Sequence, residues 1–184
     1  KIIFFDIKLF DDLISYIIIS IILGGRIGYI IFYNASYYFN NPIDIFKIWE
    51  GGMSFHGAFI GVIIGTYLFS KKIKVNTFFF LDIIATVAPI GIFFGRIANF
   101  INSELYGRPS NFIWSVVFPK IDMVARHPSQ LYEALLEGVV LFFILFITIF
   151  KKNIGIGMCS SLFMIIYAVF RIFAEQFREP DMQI

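Results

Sequence analysis

Five apolar runs, each close to the roughly 20 residues that a helix needs to cross a bilayer core, constrain any fold of this 184-residue chain. They occupy 13–33, 53–70, 77–100, 131–150 and 155–177. Inside hydrocarbon no water satisfies loose N–H and C=O groups, so runs of this kind fold as helices. Composition agrees: 59% of residues are hydrophobic and 15% charged, whereas soluble domains average about 45–50% and about 25%. The mean hydropathy is +0.82. The 25 phenylalanines read as compositional bias together with a lipid-facing surface. The expected class is an all-α polytopic membrane protein.

Two gaps between runs are basic, Lys71-Lys72-Ile73-Lys74 and Lys151-Lys152-Asn153. Positive gaps stay on the cytoplasmic side, which places 34–52, 101–130 and the end after Arg178 outside. The loop 101–130 is the longest connection. Its Tyr106-Gly107-Arg108-Pro109 and Ile113-Trp114-Ser115-Val116-Val117-Phe118 predict a small folded head, a lid or strand pair. Trp49 and Trp114 fall in outer loops, where indoles favour the bilayer interface. Glycines four apart, at 24/28, 57/61/65 and 91/95, predict stripes for close helix packing. The chain starts at Lys1 without a Met or a signal-peptide pattern. A longer protein is expected, with one helix missing at each end of a single integral-membrane domain over 1–184.

A net charge of +2 and the absence of a basic, aromatic-interleaved run argue against nucleic acid as a partner. Cys159 is the single cysteine, so neither a disulfide framework nor a thiolate metal cluster is expected. The two histidines lack metal-ligand spacing, and no G-x-S-x-G elbow is present. No metal or cofactor is expected.

The polar residues inside the runs carry the functional signal. Gly95-Arg96-Ile97-Ala98-Asn99-Phe100 puts a guanidinium at the end of an apolar run, where an uncompensated charge costs several kcal/mol. Arginine cannot shed its proton to escape that cost. Arg96 and Asn99 share a helix face, as do Tyr167, Arg171 and Glu175. Arg171 and Glu175 either pair with each other or serve a ligand. Arg96 has no acid three or four residues away in its own helix, so its partner comes from elsewhere. Phosphate suits two arginines, because each planar fork binds it bidentately, and the abundant membrane phosphate is a phospholipid headgroup. Arg26 sits mid-helix with Asn34 at its outer end, and His56, Asn102, Glu104, His127, Gln130, Tyr132 and Glu133 fall at the same outer level. This distribution predicts a cavity open near the outer surface, not a channel. His56 follows Gly51-Gly52-Met53-Ser54-Phe55 and is a candidate general base; a hydrogen-bonded structural histidine is the competing reading. His127 reads as a cap or loop residue. Asp82, near the other end of its run, caps a helix or snorkels.

The motifs together resemble the prolipoprotein diacylglyceryl transferase family over nearly the whole chain. The resemblance rests on Gly25-Arg26-Ile27-Gly28-Tyr29 with Phe32-Tyr33-Asn34, on Trp49 through Gly57, and on Gly95 through Pro109. Arg126-His127-Pro128-Ser129-Gln130-Leu131-Tyr132-Glu133 and Phe170-Arg171 through Asp181 complete it. It implies transfer of the diacylglyceryl group of phosphatidylglycerol to the lipobox cysteine of a prolipoprotein signal peptide. A thioether forms and glycerol-1-phosphate leaves. It implies a bacterial cytoplasmic (inner) membrane enzyme, acting as a monomer in the lipid bilayer, with seven helices when intact and five in this chain. By similarity, Arg96 and Arg171 hold the phosphate and His56 is the candidate base. Arg26, Asn99, Asn102, Glu104, Gly107, Tyr167 and Glu175 shape the substrate site. Ala98 and Ser103 stand where glycines are expected, and Tyr106 where Trp is common. An anion-binding transporter or channel is the alternative; it calls for inverted repeats with broken helices, and no convincing repeat is present. A non-catalytic scaffold is the third reading.

Overall fold

The computed structural model describes residues 7–151 and 154–180. Lys152 and Asn153 of the second basic gap, and Asp181 of the last motif, lie outside the described residues. The chain divides into two compact units, Lys1–Phe80 and Leu81–Ile184.

The first unit is built on two helices, α1 (Ile7–Tyr33) and α3 (Phe55–Ile73). Between them lie a short helix α2 (Ala35–Asn40) and two 3-10 turns, Pro42–Phe46 and Ile48–Glu50. Helices α1 and α3 approach backbone to backbone through the expected glycines. A Cβ on Gly57 would collide with the Gly24 carbonyl and the Gly28 Cα, and one on Gly61 with the Ser20 carbonyl. Small residues permit this approach where the hydrophobic effect offers helices no reason to associate. Away from the glycines, Leu13, Phe69 and Phe80 form a core, with Tyr16 edge-on to Phe69 at 5.5 Å. Ser54 caps α3: its Oγ accepts from the Gly57 N–H at 3.3 Å, satisfying one of the orphan donors of the first turn. Lys74, in the left-handed region at φ 57°, ends the helix.

The second unit takes up α4 (Thr77–Asn102) from Leu81 onward. Then come a two-stranded hairpin and one helical rod in three parts: α5 (Ser129–Glu133), a π-helical segment (Ala134–Val140) and α6 (Leu141–Ile149). The unit closes with α7 (Met158–Glu175). Leu141, Leu145 and Cys159 form its core, flanked by Leu162, Ile166, Tyr167 and Phe170. Asp82 does cap a helix, but from another element. Its carboxylate accepts from the Gly157 N–H at 2.6 Å and from the Ser160 N–H at 2.8 Å, at the start of α7. A negative group there complements the helix dipole. At Gly91 and Gly95 a Cβ would meet nothing within 4 Å among the described residues.

Among the described residues, four helices are long and apolar enough to cross a membrane: Lys8–Tyr33, Thr77–Asn102, Ser129–Ile149 and Met158–Glu175. The fifth run forms α3 over 19 residues. His56 near one end and Lys71 and Lys72 at the other make it less apolar than these four.

The 103–128 connection contains the expected strand pair. Strand β1 (Val116–Val117) pairs antiparallel with β2 (Ala125–Arg126). Further bridges join Pro109 to Arg126 and Gly107 to Arg178.

Candidate functional site

The sequence places Arg96 in the last third of α4 and Arg171 near the end of α7. The fold brings both to the same two carboxylates on the rod between them. Arg96 Nε lies 2.8 Å from Glu133 Oε2, and its Nη2 donates to Glu137 Oε2 at 3.4 Å. Arg171 Nη1 donates to Glu133 Oε1 at 2.9 Å and lies 4.0 Å from Glu137 Oε1. Each carboxylate therefore spans both guanidiniums. Glu175, one turn past Arg171 on α7, adds a third acid at 2.7 Å from Arg171 Nη2.

Exposure is graded across this cluster. The side chains of Glu133 and Glu137 are 0% exposed, Arg96 is 17%, Arg171 is 26% and Glu175 is 47% exposed. The inner acids thus grip the guanidiniums from the sealed side, and the arginines keep an open side. Breaking a pair of this kind from one end costs on the order of 3–5 kcal/mol, because the partner is left buried and uncompensated. The Tyr167 hydroxyl, on the same face of α7, stands within reach of the charges of Glu137, Arg96 and Arg171.

The expected partner of Arg96 from another element is Glu133, with Glu137 beside it. Glu133 stood among the polar residues noted from the sequence. Glu137 did not; it lies four residues deeper in the same apolar run, 131–150. Two acids four residues apart in such a run were a signal in themselves, since each is costly unless paired. Arg171 and Glu175 do pair, while Arg171 also reaches the buried acids.

Asn99 and Glu104 meet at the end of α4. Asn99 Nδ2 donates to Glu104 Oε2 at 3.0 Å, and the Glu104 N–H donates to the Asn99 carbonyl at 2.8 Å. The turn that brings them together has Ser103 at φ 62° and Leu105 at φ 51°. Glycine takes that conformation without strain, which explains the expectation of glycine at 103. Asn102 is exposed at the helix end. Gly107 is buried, and a Cβ there would collide with the His127 and Phe177 carbonyls. Its part is close packing: it lets Arg108 donate its N–H to the Phe177 carbonyl at 2.9 Å and its Nε to the Arg178 carbonyl at 2.9 Å. His127 is a structural loop residue, with Nδ1 3.1 Å from the Tyr132 hydroxyl. That hydroxyl also accepts from Trp114 Nε1 at 2.7 Å. Arg126 ties down the hairpin: Nη2 donates to Asp122 Oδ2 at 2.6 Å, and the guanidinium lies over the Tyr106 ring. The Arg126 guanidinium holds the Asp122 carboxyl below its ordinary value, helped by the Val124 N–H.

In the first unit, Arg26 is 5% exposed and donates only to backbone. Nε donates to the Ile45 carbonyl at 2.9 Å, and Nη1 to those of Gly51 at 2.6 Å and Gly52 at 3.2 Å. Nη2 donates to the carbonyls of Asp44 at 2.5 Å and Lys47 at 3.2 Å. The five N–H donors of a guanidinium thus meet five acceptors, and Tyr38 covers the group at 5.1 Å. Arg26 fixes the 42–52 loop and keeps no donor for a substrate. Gly51 and Gly52, at φ 85° and 78°, turn their carbonyls to Arg26 instead of presenting amides to an anion. His56 lies in the first turn of α3, exposed, and its ring meets only that of Phe55 among the described residues. Among the described residues no hydrogen bond reaches its ring.

These features define a multi-pass helical membrane protein that holds two partly open guanidiniums against buried carboxylates. The profile of the family described as prolipoprotein diacylglyceryl transferase matches residues 4–184. Phosphatidylglycerol–prolipoprotein diacylglyceryl transferase of Rickettsia felis is 56% identical over 179 residues, covering 96% of this chain and 69% of the relative. The proteins of the same name from Rickettsia bellii and Rickettsia typhi are 57% and 55% identical, covering 96% of this chain and 68% and 69% of their own lengths. The chain belongs to the prolipoprotein diacylglyceryl transferase family.

Proposed function

We propose that this chain transfers the diacylglyceryl group of phosphatidylglycerol to the thiol of a prolipoprotein lipobox cysteine. The observation that carries the assignment of the site is the pairing of Arg96 and Arg171 on one buried carboxylate, Glu133, at 2.8 and 2.9 Å. In the reaction a thiolate attacks carbon 3 of the diacylglyceryl moiety. A carbon–sulfur bond forms and the carbon–oxygen bond to phosphate breaks. Its electron pair leaves on the phosphate of glycerol-1-phosphate. Charge grows on those phosphate oxygens, and a pair of fixed guanidiniums stabilises it without reorganisation. Arg96 and Arg171 do this from their open sides. By similarity to the family, His56 is the candidate for taking the thiol proton, and its ring is exposed at the start of α3. Asn99, Asn102, Glu104 and Tyr167 shape the headgroup site, with Glu175 on the exposed edge of Arg171. Gly107 holds the surrounding loop, and Arg26 holds the loop before α3.

The site faces the extracytoplasmic side of the bacterial inner membrane, residues 101–130 form its head, and the enzyme works as a monomer in the bilayer. The basic residues at 71–74 support that orientation. Family membership favours the transferase over an anion transporter. The test incubates the full-length protein with phosphatidylglycerol vesicles and a lipobox peptide. The peptide gains the mass of one diacylglyceryl group, and glycerol-1-phosphate appears in equal amount. A folded protein that leaves the peptide unmodified refutes the proposal.

A further inference from the structure

Three carboxyl groups face two guanidiniums in the second unit, one more than compensation requires. Glu133 and Glu175 already supply one acid for each arginine. Glu137 is the third, and it is fully buried. Its contacts are the longest of the set, 3.4 Å to Arg96 and 4.0 Å to Arg171, yet it spans both groups. It also lies in a π-helical segment, Ala134–Val140. Such segments are rare and recur at functional sites. The next residue, Gly138, presses on α4: a Cβ there would collide with the Cα and Cβ of Phe93. Phe93 is three residues before Arg96 and so shares its helix face. The close Gly138–Phe93 approach and the Glu137–Arg96 contact therefore fix one register between the rod and α4.

We propose that Glu137 is a positioning residue for the transfer: together with Glu133 it sets the separation and tilt of the Arg96 and Arg171 guanidiniums, so that both forks address one phosphate. The inference rests on the reading of Arg96 and Arg171 as the phosphate clamp. Glu137 touches no substrate atom and acts through the arginines.

The test is a mutant cycle on the full-length enzyme in phosphatidylglycerol vesicles with a lipobox peptide. Glu137→Gln keeps the shape and leaves two acids for two arginines, so the protein folds. Its kcat falls about 100-fold, the scale expected for a misplaced reacting group. KM for the peptide is unchanged. In an Arg96→Lys background, where only the Arg171 fork is left to position, Glu137→Gln costs distinctly less than in the wild-type background. A wild-type kcat in folded Glu137→Gln overturns the inference, as does an equal loss in both backgrounds, which is the behaviour of a merely structural residue. If Glu137→Gln does not fold, the same cycle is read on Glu137→Asp, which retracts the carboxylate by one methylene. A loss that shrinks in the Arg96→Lys background supports positioning, whereas an equal loss in both backgrounds, or no loss at all, overturns it. Arg96→Lys and Arg171→Lys as single variants separate the two levels. If both turn over like wild type, the clamp itself fails; if both are slow while Glu137→Gln is fast, only the positioning role fails.

Discussion

Arg96 of α4 lies 2.8 Å from Glu133 on the rod that follows the hairpin, and that carboxylate is wholly buried. The pair joins two elements whose sequences each look unfavourable for a membrane helix taken alone. Once paired, the two charges offset each other's burial, and the guanidinium is left with a fixed direction. The same carboxylate reaches Arg171 on α7 at 2.9 Å. A fixed orientation of this kind is what a clamp for a phosphate group requires.

Arg26 makes a different use of a buried guanidinium, and substitution there should change stability before chemistry. Arg26→Lys offers three donors from one point, where five carbonyls are now satisfied. Each carbonyl left buried and unpaired costs about 1–3 kcal/mol. Limited proteolysis should cut the 42–52 loop faster in Arg26→Lys, and the melting temperature should fall. An unchanged cleavage pattern would show that the loop does not depend on the clamp.

The glycine stripes make opposite predictions at two places. Gly57→Ala forces α1 and α3 apart at a backbone contact, and overpacking of this sort costs about 1–3 kcal/mol. Gly91→Ala meets nothing within 4 Å among the described residues and improves helix propensity, so it should be neutral or slightly stabilising. Thermal unfolding in one detergent compares the two directly. Equal effects would contradict the assigned packing.

Helix positions and the glycine stripes of α1 and α3 follow from periodicity and spacing, because each rests on residues a few positions apart; the helix that Asp82 caps does not, since Gly157 and Ser160 lie 75 and 78 residues further on. The partners of Arg96 do not follow in this way. Glu133 and Glu137 lie 37 and 41 residues further on, and Glu137 sits in a run that reads as a lipid-facing span. The π-helical segment has no pattern in side-chain chemistry. The role of Arg26 was hidden for another reason: its acceptors are backbone carbonyls, which every residue carries. For Gly91 and Gly95, spacing alone does not say which element lies opposite. The bridge from Gly107 to Arg178 spans most of the second unit, and no local signal marks it.

The hairpin should respond to acid. Asp122 is held below its ordinary value chiefly by Arg126, with help from the Val124 N–H. A depressed carboxyl contributes stability that is present above its unfolded value and is lost as pH falls through the folded one. The hairpin should therefore be intact at neutral pH and loosen only below the usual carboxylate range. Trp114 fluorescence, read in a Trp49→Phe background, follows this. Asp122→Asn should show the loosened signal at neutral pH and no acid transition. A transition that survives in Asp122→Asn would assign it to another group.

His56→Asn should fold normally, since its ring makes no hydrogen bond among the described residues. Its kcat should fall about 10²–10⁴-fold, the usual contribution of a general base. Wild-type turnover would move the proton transfer to another group.

The central claim is that Arg96 and Arg171 together hold the phosphate as it departs, and the single-turnover rate of thioether formation in Arg96→Lys at saturating phosphatidylglycerol tests it most directly. Lysine keeps the charge and loses the planar fork. The rate should fall about 10²–10³-fold, as when one preorganised donor is removed from a site of developing charge, with folding and peptide binding intact. A folded Arg96→Lys that forms the thioether at the wild-type rate would contradict the account.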